Sequence, residues 1–228
     1  MRNTLVRARR GLISLLFPSV CEHCGARSED AAPLCWRCLR SLERVQPCDT
    51  VGLLEPFPRD ADGIQVLCLW YFDKDGPLRD VVHALKYQNR PWYGRFLGDA
   101  LAATLELDCS ASVVTPLPLH PIKRLDRGYN QAAWIAAAVS QRISIPVHEN
   151  LVVRTRPTHT QTTLNREDRW QNVQDAFQAA SAPGPGHSHA VLVDDVVTTG
   201  ATALSAAVAL RAVGFEHVTI AAVGLARD

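Results

Sequence analysis

The chemistry-bearing stretch of this chain is Val191–Thr202, VLVDDVVTTGAT. A β-branched and aliphatic run, Ala190–Val193, leads into two adjacent carboxylates, Asp194 and Asp195. After Val196 and Val197 come Thr198, Thr199, Gly200, Ala201 and Thr202, and then an alanine- and leucine-rich helix pattern that runs to Val213, with Gly214 as its stop. The order is therefore strand, acidic pair, hydroxyl and glycine loop, helix N-terminus. Unpaired N–H groups and the dipole at such an N-terminus attract phosphate. Thr198, Thr199 and Thr202 add hydroxyl donors, and Gly200 lets backbone come close to the anion. The carboxylates suit the two hydroxyls of a ribose, directly or through Mg²⁺. An Asp that merely caps the helix would account for one carboxylate but not for the whole run. Nothing resembles G-x-x-x-x-G-K-[ST], which disfavours a nucleoside triphosphatase loop.

The second cluster is sulfur. Cys21-Glu-His-Cys24 and Cys35-Trp-Arg-Cys38 are two C-x-x-C knuckles separated by ten residues. Together they can offer four thiolates to one tetrahedral Zn²⁺, a closed structural site with no open position for catalysis. Gly25 suits the turn after the first knuckle. Disulfides or redox chemistry are the competing readings. Disulfides need an oxidising compartment, and a redox motif wants one C-x-x-C in a βαβ context rather than two in a loop-rich stretch. Of the isolated cysteines, Cys68 alternates with Val66 and Trp70 and reads as core.

These groups need elements to position them. The 228 residues are 47% hydrophobic and 7% aromatic, enough for a sizeable core. Strand-like and helix-like stretches alternate from residue 64, which points to an α/β sheet. Ile64–Phe72 reads as a strand and Leu78, Val81, Val82 and Leu85 as one helix face, with Lys86 and Tyr87 near its end. Leu97–Leu105 repeats the helical spacing, Ser112–Leu117 is a short strand, Gln131–Arg142 an alanine-rich helix, Leu151–Arg154 extended, and Val218–Val223 a last strand. Residues 155–175 are polar, basic and without period, as a functional or disordered loop would be. Pro47, Pro56, Pro58 and Gly52 mark 47–60 as linker or irregular chain, so the expected division is a helix and zinc module over 1–48 and an α/β domain over 60–228. With 24 basic and 23 acidic side chains, the net charge of +1 gives no global field for nucleic acid or membrane. The N-terminal basic and apolar run lacks a small-x-small cleavage site and reads as an amphipathic helix with Leu12, Leu15 and Leu16 on one side. No segment reads as membrane-spanning, and a cytoplasmic protein is expected.

The Val191–Thr202 stretch closely resembles the phosphoribosyl pyrophosphate (PRPP) motif of type I phosphoribosyltransferases. With Leu85–Arg90 (LKYQNR), Pro116–Ala132 (PLPLHPIKRLDRGYNQA), Arg154–Phe177 and the double C-x-x-C, nearly the whole chain resembles the ComF/GntX family of competence-associated proteins. The resemblance implies a type I phosphoribosyltransferase-like, mostly parallel sheet with flanking helices behind an N-terminal zinc module. It also implies a link to uptake or use of DNA. PRPP would be held by Asp194–Thr202, with Thr115, Pro116 and the residues after them gripping pyrophosphate. Lys123, Arg124 and Arg127 would supply charge there, although by themselves they read better as a solvated basic turn. Residues 155–175 would be the loop that closes over the reaction, with Arg166 and Arg169 the candidates to meet the leaving pyrophosphate and Arg154 and Arg156 as alternatives. No segment plainly serves as a base-recognising hood, a place the zinc module could take.

Two functions stay open. One is phosphoribosyl transfer from Mg²⁺-PRPP to an unknown acceptor, catalysed by positioning and charge without a covalent nucleophile. The other is a non-catalytic PRPP sensor or scaffold acting on single-stranded DNA or on the DNA-uptake machinery. For DNA, the N-terminal arginines (Arg2, Arg7, Arg9, Arg10, Arg37, Arg40, Arg44) and Trp36 form a plausible surface, and they equally describe a solvated helix and module.

Overall fold

A computed structural model describes residues 19–29, 31–54, 61–105, 111–155, 176–184 and 188–227. The expected N-terminal helix with Arg2, Arg7, Arg9 and Arg10, and the stretch holding Arg156, Arg166 and Arg169, lie outside these residues.

Four parallel strands form the centre: β1 (Ile64–Phe72), β2 (Val113–Pro116), β5 (His189–Val197) and β6 (His217–Ala226), in the order β1-β6-β5-β2. Parallel strands need crossovers and are covered on both faces, which explains why β5 and β6 are mostly buried and, apart from His189, Asp194, Asp195, His217 and Thr219, apolar. Two crossovers supply helices to one face: α3 (Pro77–Tyr87) with α4 (Tyr93–Leu105), and α6 (Gln131–Ile143). They bury Leu78, Val81, Leu85, Leu97, Leu101 and Ile135 completely. α4 lies very close to α6: a Cβ on Gly94 would stand 2.5 Å from Trp134 Cβ, and one on Gly98 2.5 Å from the Ile135 carbonyl oxygen. The opposite face carries α7 (Ala201–Ala212) and a small antiparallel hairpin of β3 (Val152–Arg154) and β4 (Phe177–Ala179). The mostly parallel sheet with flanking helices is the architecture the sequence led us to expect, and the strand and helix limits agree to within a few residues.

Two expectations need correction. Residues 47–60 are not irregular throughout, because Pro47–Val51 forms a short helix, α2. Pro47 begins it rather than breaking it, where its missing N–H costs nothing. Gln46 and Asp49 exchange capping hydrogen bonds across its first turn. Likewise, Lys123, Arg124 and Arg127 lie on a helix and not in a turn: α5 (Pro121–Arg127) again starts with proline and stops at Gly128, whose φ is +78°.

The zinc-module sequence is built onto the domain. Its second knuckle opens α1 (Trp36–Arg40). Cys21, Leu34, Cys35 and Cys38 share one apolar cluster with Leu78, Val81, Val82 and Leu85 of α3. His23 Nδ1 lies 2.9 Å from Asp80 of α3, and Tyr93 at the start of α4 donates to Glu22 at 2.6 Å, joined there by Arg90. The chain then passes along β1: Val45 N–H donates to the Leu69 carbonyl at 3.3 Å and Tyr71 N–H to the Glu43 carbonyl at 3.0 Å. It continues to the other face of the sheet, where Leu53 is buried in the cluster that includes Val197 and Ala201. The first segment thus wraps the β1 edge of the sheet, which also covers backbone that an edge strand would otherwise expose. No helix among the described residues is long and apolar enough to cross a membrane.

Candidate functional site

Asp194 and Asp195 lie near the carboxyl end of β5, one of the two inner strands. In an open α/β sheet, ligands bind beyond that end. The following Thr198, Thr199 and Gly200 form the loop into α7. Gly200 is the N-cap with φ +77°, a left-handed conformation that a side chain would resist. Among the described residues no side chain caps this helix, and its first turn carries no acidic residue. Its leading N–H groups are therefore available to an anion. Thr198 is exposed, Thr199 and Thr202 are half-buried, and Ala201 is buried beneath them. A Cβ on Gly200 would lie 3.8 Å from Leu53, so the segment leaving the cysteine module forms part of the floor of the loop.

The acidic pair sits at a fault in the sheet. Up to this level the strands alternate: Cys68, Ala222 and Leu192 face the α7 side, while Leu67, Ala221 and Val193 face the α3 side. Then Leu69 and Trp70 both face α3, as do Val223 and, by its neighbours Phe72 and Leu78, Gly224. Tyr71 and Leu225 return to the α7 side. In register with these, Asp195 and Val196 face α3, and Asp194 and Val197 the other side. The extra residue in each strand resembles a bulge shared by three neighbours, a device that re-aims side chains at functional edges.

The carboxylates stabilise this fault. Asp194 Oδ1 accepts from the Asp195 N–H at 2.8 Å, and Asp195 Oδ1 accepts from the Val196 N–H at 2.7 Å. Asp195 is 3% exposed, and its Oδ2 lies 2.9 Å from Lys86 Nζ at the end of α3. Asp194 keeps part of its surface open yet stands deep among neighbouring atoms. Its carboxyl is raised above the usual carboxylate range, first by burial and next by the charge of Asp195, with Lys86 and Arg127 opposing. Burial, and then the Asp194 charge, push the Cys68 thiol up to about 12, so Cys68 is an inert core group as expected.

The other expected residues divide. Thr115 and Pro116 form the end of β2 rather than a loop, both buried, and Thr115 Oγ1 has no hydrogen-bond partner among the described residues. Lys123 and Arg124 are exposed on α5. Arg127 lies over the Tyr87 ring at 4.9 Å, donates to Tyr87 Oη at 3.0 Å and to Gln131 Oε1 at 2.9 Å, and contributes positive charge at Asp194. The His120 pKa is lowered first by burial and then by the charges of Arg154 and Lys123. Lys86 was not anticipated as a site residue. Its only sequence signal was its place in LKYQNR, since nothing in local spacing links it to Asp195.

The four sulfurs of Cys21, Cys24, Cys35 and Cys38 lie within 4.8 Å of one another, with Cys24 and Cys35 3.7 Å apart. A tetrahedron with metal–sulfur bonds of about 2.3 Å has edges of about 3.8 Å, so this set fits zinc. The first knuckle is turned by Gly25, φ +70°, whose N–H donates to the Cys21 carbonyl at 2.9 Å. Burial pushes the Cys21 thiol up, but donors from the backbone of Cys24, Cys35 and His23 outweigh it and hold it at about 6. Cys35 is lowered likewise, first by the Cys38 backbone, whereas burial and then the neighbouring thiols push Cys38 up.

No family model matches the chain. Among individual proteins, it is 30% identical over 240 residues to competence protein F of Haemophilus influenzae, covering 99% of this chain and 94% of that one. It is 28% identical to the DNA utilization protein YhgH of Escherichia coli over 81% of this chain and 74% of the relative. Among solved structures, the glutamine PRPP amidotransferase of B. subtilis shares 19% identity at a TM-score of 0.38, over 60% of this chain and 29% of that one. On its similarity to competence protein F along nearly its whole length, the chain belongs to the ComF family of competence proteins.

Proposed function

We propose that the chain binds Mg²⁺-PRPP at the end of β5 and works in the uptake or use of DNA, transferring the phosphoribosyl group to an acceptor of unknown identity. The observation that supports this best is the pairing of an uncapped helix N-terminus behind Gly200 with a carboxylate pair one loop earlier. The N-terminus suits phosphate, and the carboxylate edge suits a ribose hydroxyl or a hydrated cation. Thr115, buried with an unpartnered hydroxyl beside the central strand, adds a polar group at the same end of the sheet. Lys123, Arg124 and Arg127 follow that strand and offer cations for pyrophosphate. Arg166 and Arg169 belong to the same reading as groups that meet the leaving pyrophosphate. Zinc in the four-cysteine set is structural, holding residues 19–45 against α3 and β1.

The names of the relatives concern competence and DNA utilization rather than catalysis, which supports a second reading. In it the same site senses PRPP without turning it over and the protein acts on single-stranded DNA or a partner of the uptake machinery. Calorimetric titration of PRPP with and without Mg²⁺ tests what both share, using Asp194→Asn/Asp195→Asn as control. Mg²⁺-dependent binding lost in the double variant supports the site. Release of pyrophosphate on adding candidate bases or amines then selects transfer over sensing. Absence of binding by folded, zinc-loaded protein refutes both.

A further inference from the structure

Resting on the PRPP reading, the geometry points to a division of labour within the acidic pair: Asp194 is the carboxylate offered to the ribose hydroxyls or hydrated Mg²⁺, while Asp195 and Lys86 are positioning residues that never touch the ligand. Two neighbouring carboxylates look interchangeable in sequence. The shared sheet fault makes them unequal, because it sends Asp194 to one face and Asp195, with Val196, to the other.

Counting their oxygens leads to the same place. Asp194 Oδ1 accepts from the Asp195 N–H and Asp195 Oδ1 from the Val196 N–H, while Asp195 Oδ2, buried and without a hydrogen bond among the described residues, is held in an ion pair by Lys86 at 2.9 Å. Among the described residues, Asp194 Oδ2 is the remaining oxygen without a hydrogen bond or ion pair. Exposure agrees: the Asp195 side chain is 5% exposed, whereas Asp194 keeps an open portion. A ribose hydroxyl would have to reach a side chain that is only 5% exposed, and drawing that carboxylate toward the ligand would weaken its ion pair with Lys86. Lys86 itself comes from α3, the helix on which the cysteine module sits. Its ammonium is spent on Asp195, fixing the backbone turn that aims Asp194 and then the Thr198–Thr202 loop.

A double-mutant cycle read by Mg²⁺-PRPP calorimetry tests this. Asp194→Asn keeps the Oδ1 acceptor and is expected to weaken binding by about 100-fold, two decades or 2.7 kcal/mol. Lys86→Met and Asp195→Asn are each expected to weaken it by about tenfold, and their combination by no more than either alone, since they remove the same ion pair. Lys86→Arg restores binding to within a few-fold, because it needs only to reach Asp195. Multiplying losses in Lys86→Met/Asp195→Asn, or Asp195→Asn as harmful as Asp194→Asn, would mean that these groups contact the ligand separately and overturns the inference alone. Wild-type protein that binds no Mg²⁺-PRPP removes the inference and the site reading together. Should Lys86→Met not fold, the comparison of Asp194→Asn with Asp195→Asn and Lys86→Arg, each checked by circular dichroism, still decides it.

Discussion

Replacing Lys86 by Met has a consequence for stability that is independent of any ligand. The ammonium lies 2.9 Å from Asp195 Oδ2, with side-chain exposures of 20% for Lys86 and 5% for Asp195. Met preserves most of the apolar stem that Lys86 lays along α3, so the change isolates the charge. Breaking a buried pair from one side costs about 3–5 kcal/mol, because the remaining charge is left without compensation. Lys86 is partly solvated and water can enter in its place, which puts the expected loss near the lower end, about 3 kcal/mol. In a chain of this size that lowers Tm by about 6–12 °C, at 2–4 °C per kcal/mol. The assay is urea or thermal unfolding in zinc-containing buffer at neutral pH, alongside Asp195→Leu/Lys86→Met, which removes both charges. That double variant is expected to recover most of the loss, since an apolar pair no longer strands a charge. A Lys86→Met protein within about 0.5 kcal/mol of wild type, the ordinary range for surface changes, would refute the buried pair as an energetic unit.

Metal and pH give two further outcomes. Purified protein is expected to carry one zinc per chain by atomic absorption, and a strong chelator should render the four thiols of Cys21, Cys24, Cys35 and Cys38 reactive while α3 loses its cover, seen as earlier proteolysis between residues 19 and 54. For pH, the Asp194 carboxyl is raised in the folded state by burial and by Asp195, so the native protein binds a proton that the unfolded chain releases. Its contribution to stability is therefore full below the unfolded carboxylate pKa and is lost as pH rises through the raised folded value. Wild-type ligand-free protein should lose stability over that window relative to Asp194→Asn, as read from urea midpoints. Mg²⁺-PRPP affinity should move the other way, growing as Asp194 ionises; a flat difference between the two proteins would refute the shift.

Much of this architecture could be read from period and punctuation. Ile64–Phe72 reads as a strand from its aliphatic and aromatic run, being covered on both faces, and Gln131–Ile143 as a helix from its spacing of three to four, burying one face against the sheet. The motif at Val191–Thr202 was equally legible, since the strand, loop and helix are contiguous in the chain. What escaped lacked either a buried face or a local partner. α5 buries so little that Ile122 and Leu125 are 62% and 84% exposed, leaving no stripe to detect. α2 begins with a proline, which reads as a breaker until its capping partners are known. Lys86 meets Asp195 only through the packing of α3 on the sheet, and the fault beneath them requires three strands to slip together.

That fault bears on whether the acidic pair is there for the fold or for a ligand. Three of its four oxygens serve the fold, two by accepting N–H groups from the bent strand and one by holding Lys86. Asp195 is thereby accounted for, because its charge has a buried partner. Asp194 is not: an asparagine would accept the same Asp195 N–H through Oδ1 without the penalty that burial and the Asp195 charge impose on a second carboxylate. On the proposed reading, what the site binds compensates that cost. Whatever fills that place has to satisfy an anion on one side and, one loop later, the positive end of α7 on the other. A molecule joining hydroxyls or a divalent cation to a phosphate does both, and neither a neutral apolar ligand nor a simple anion would.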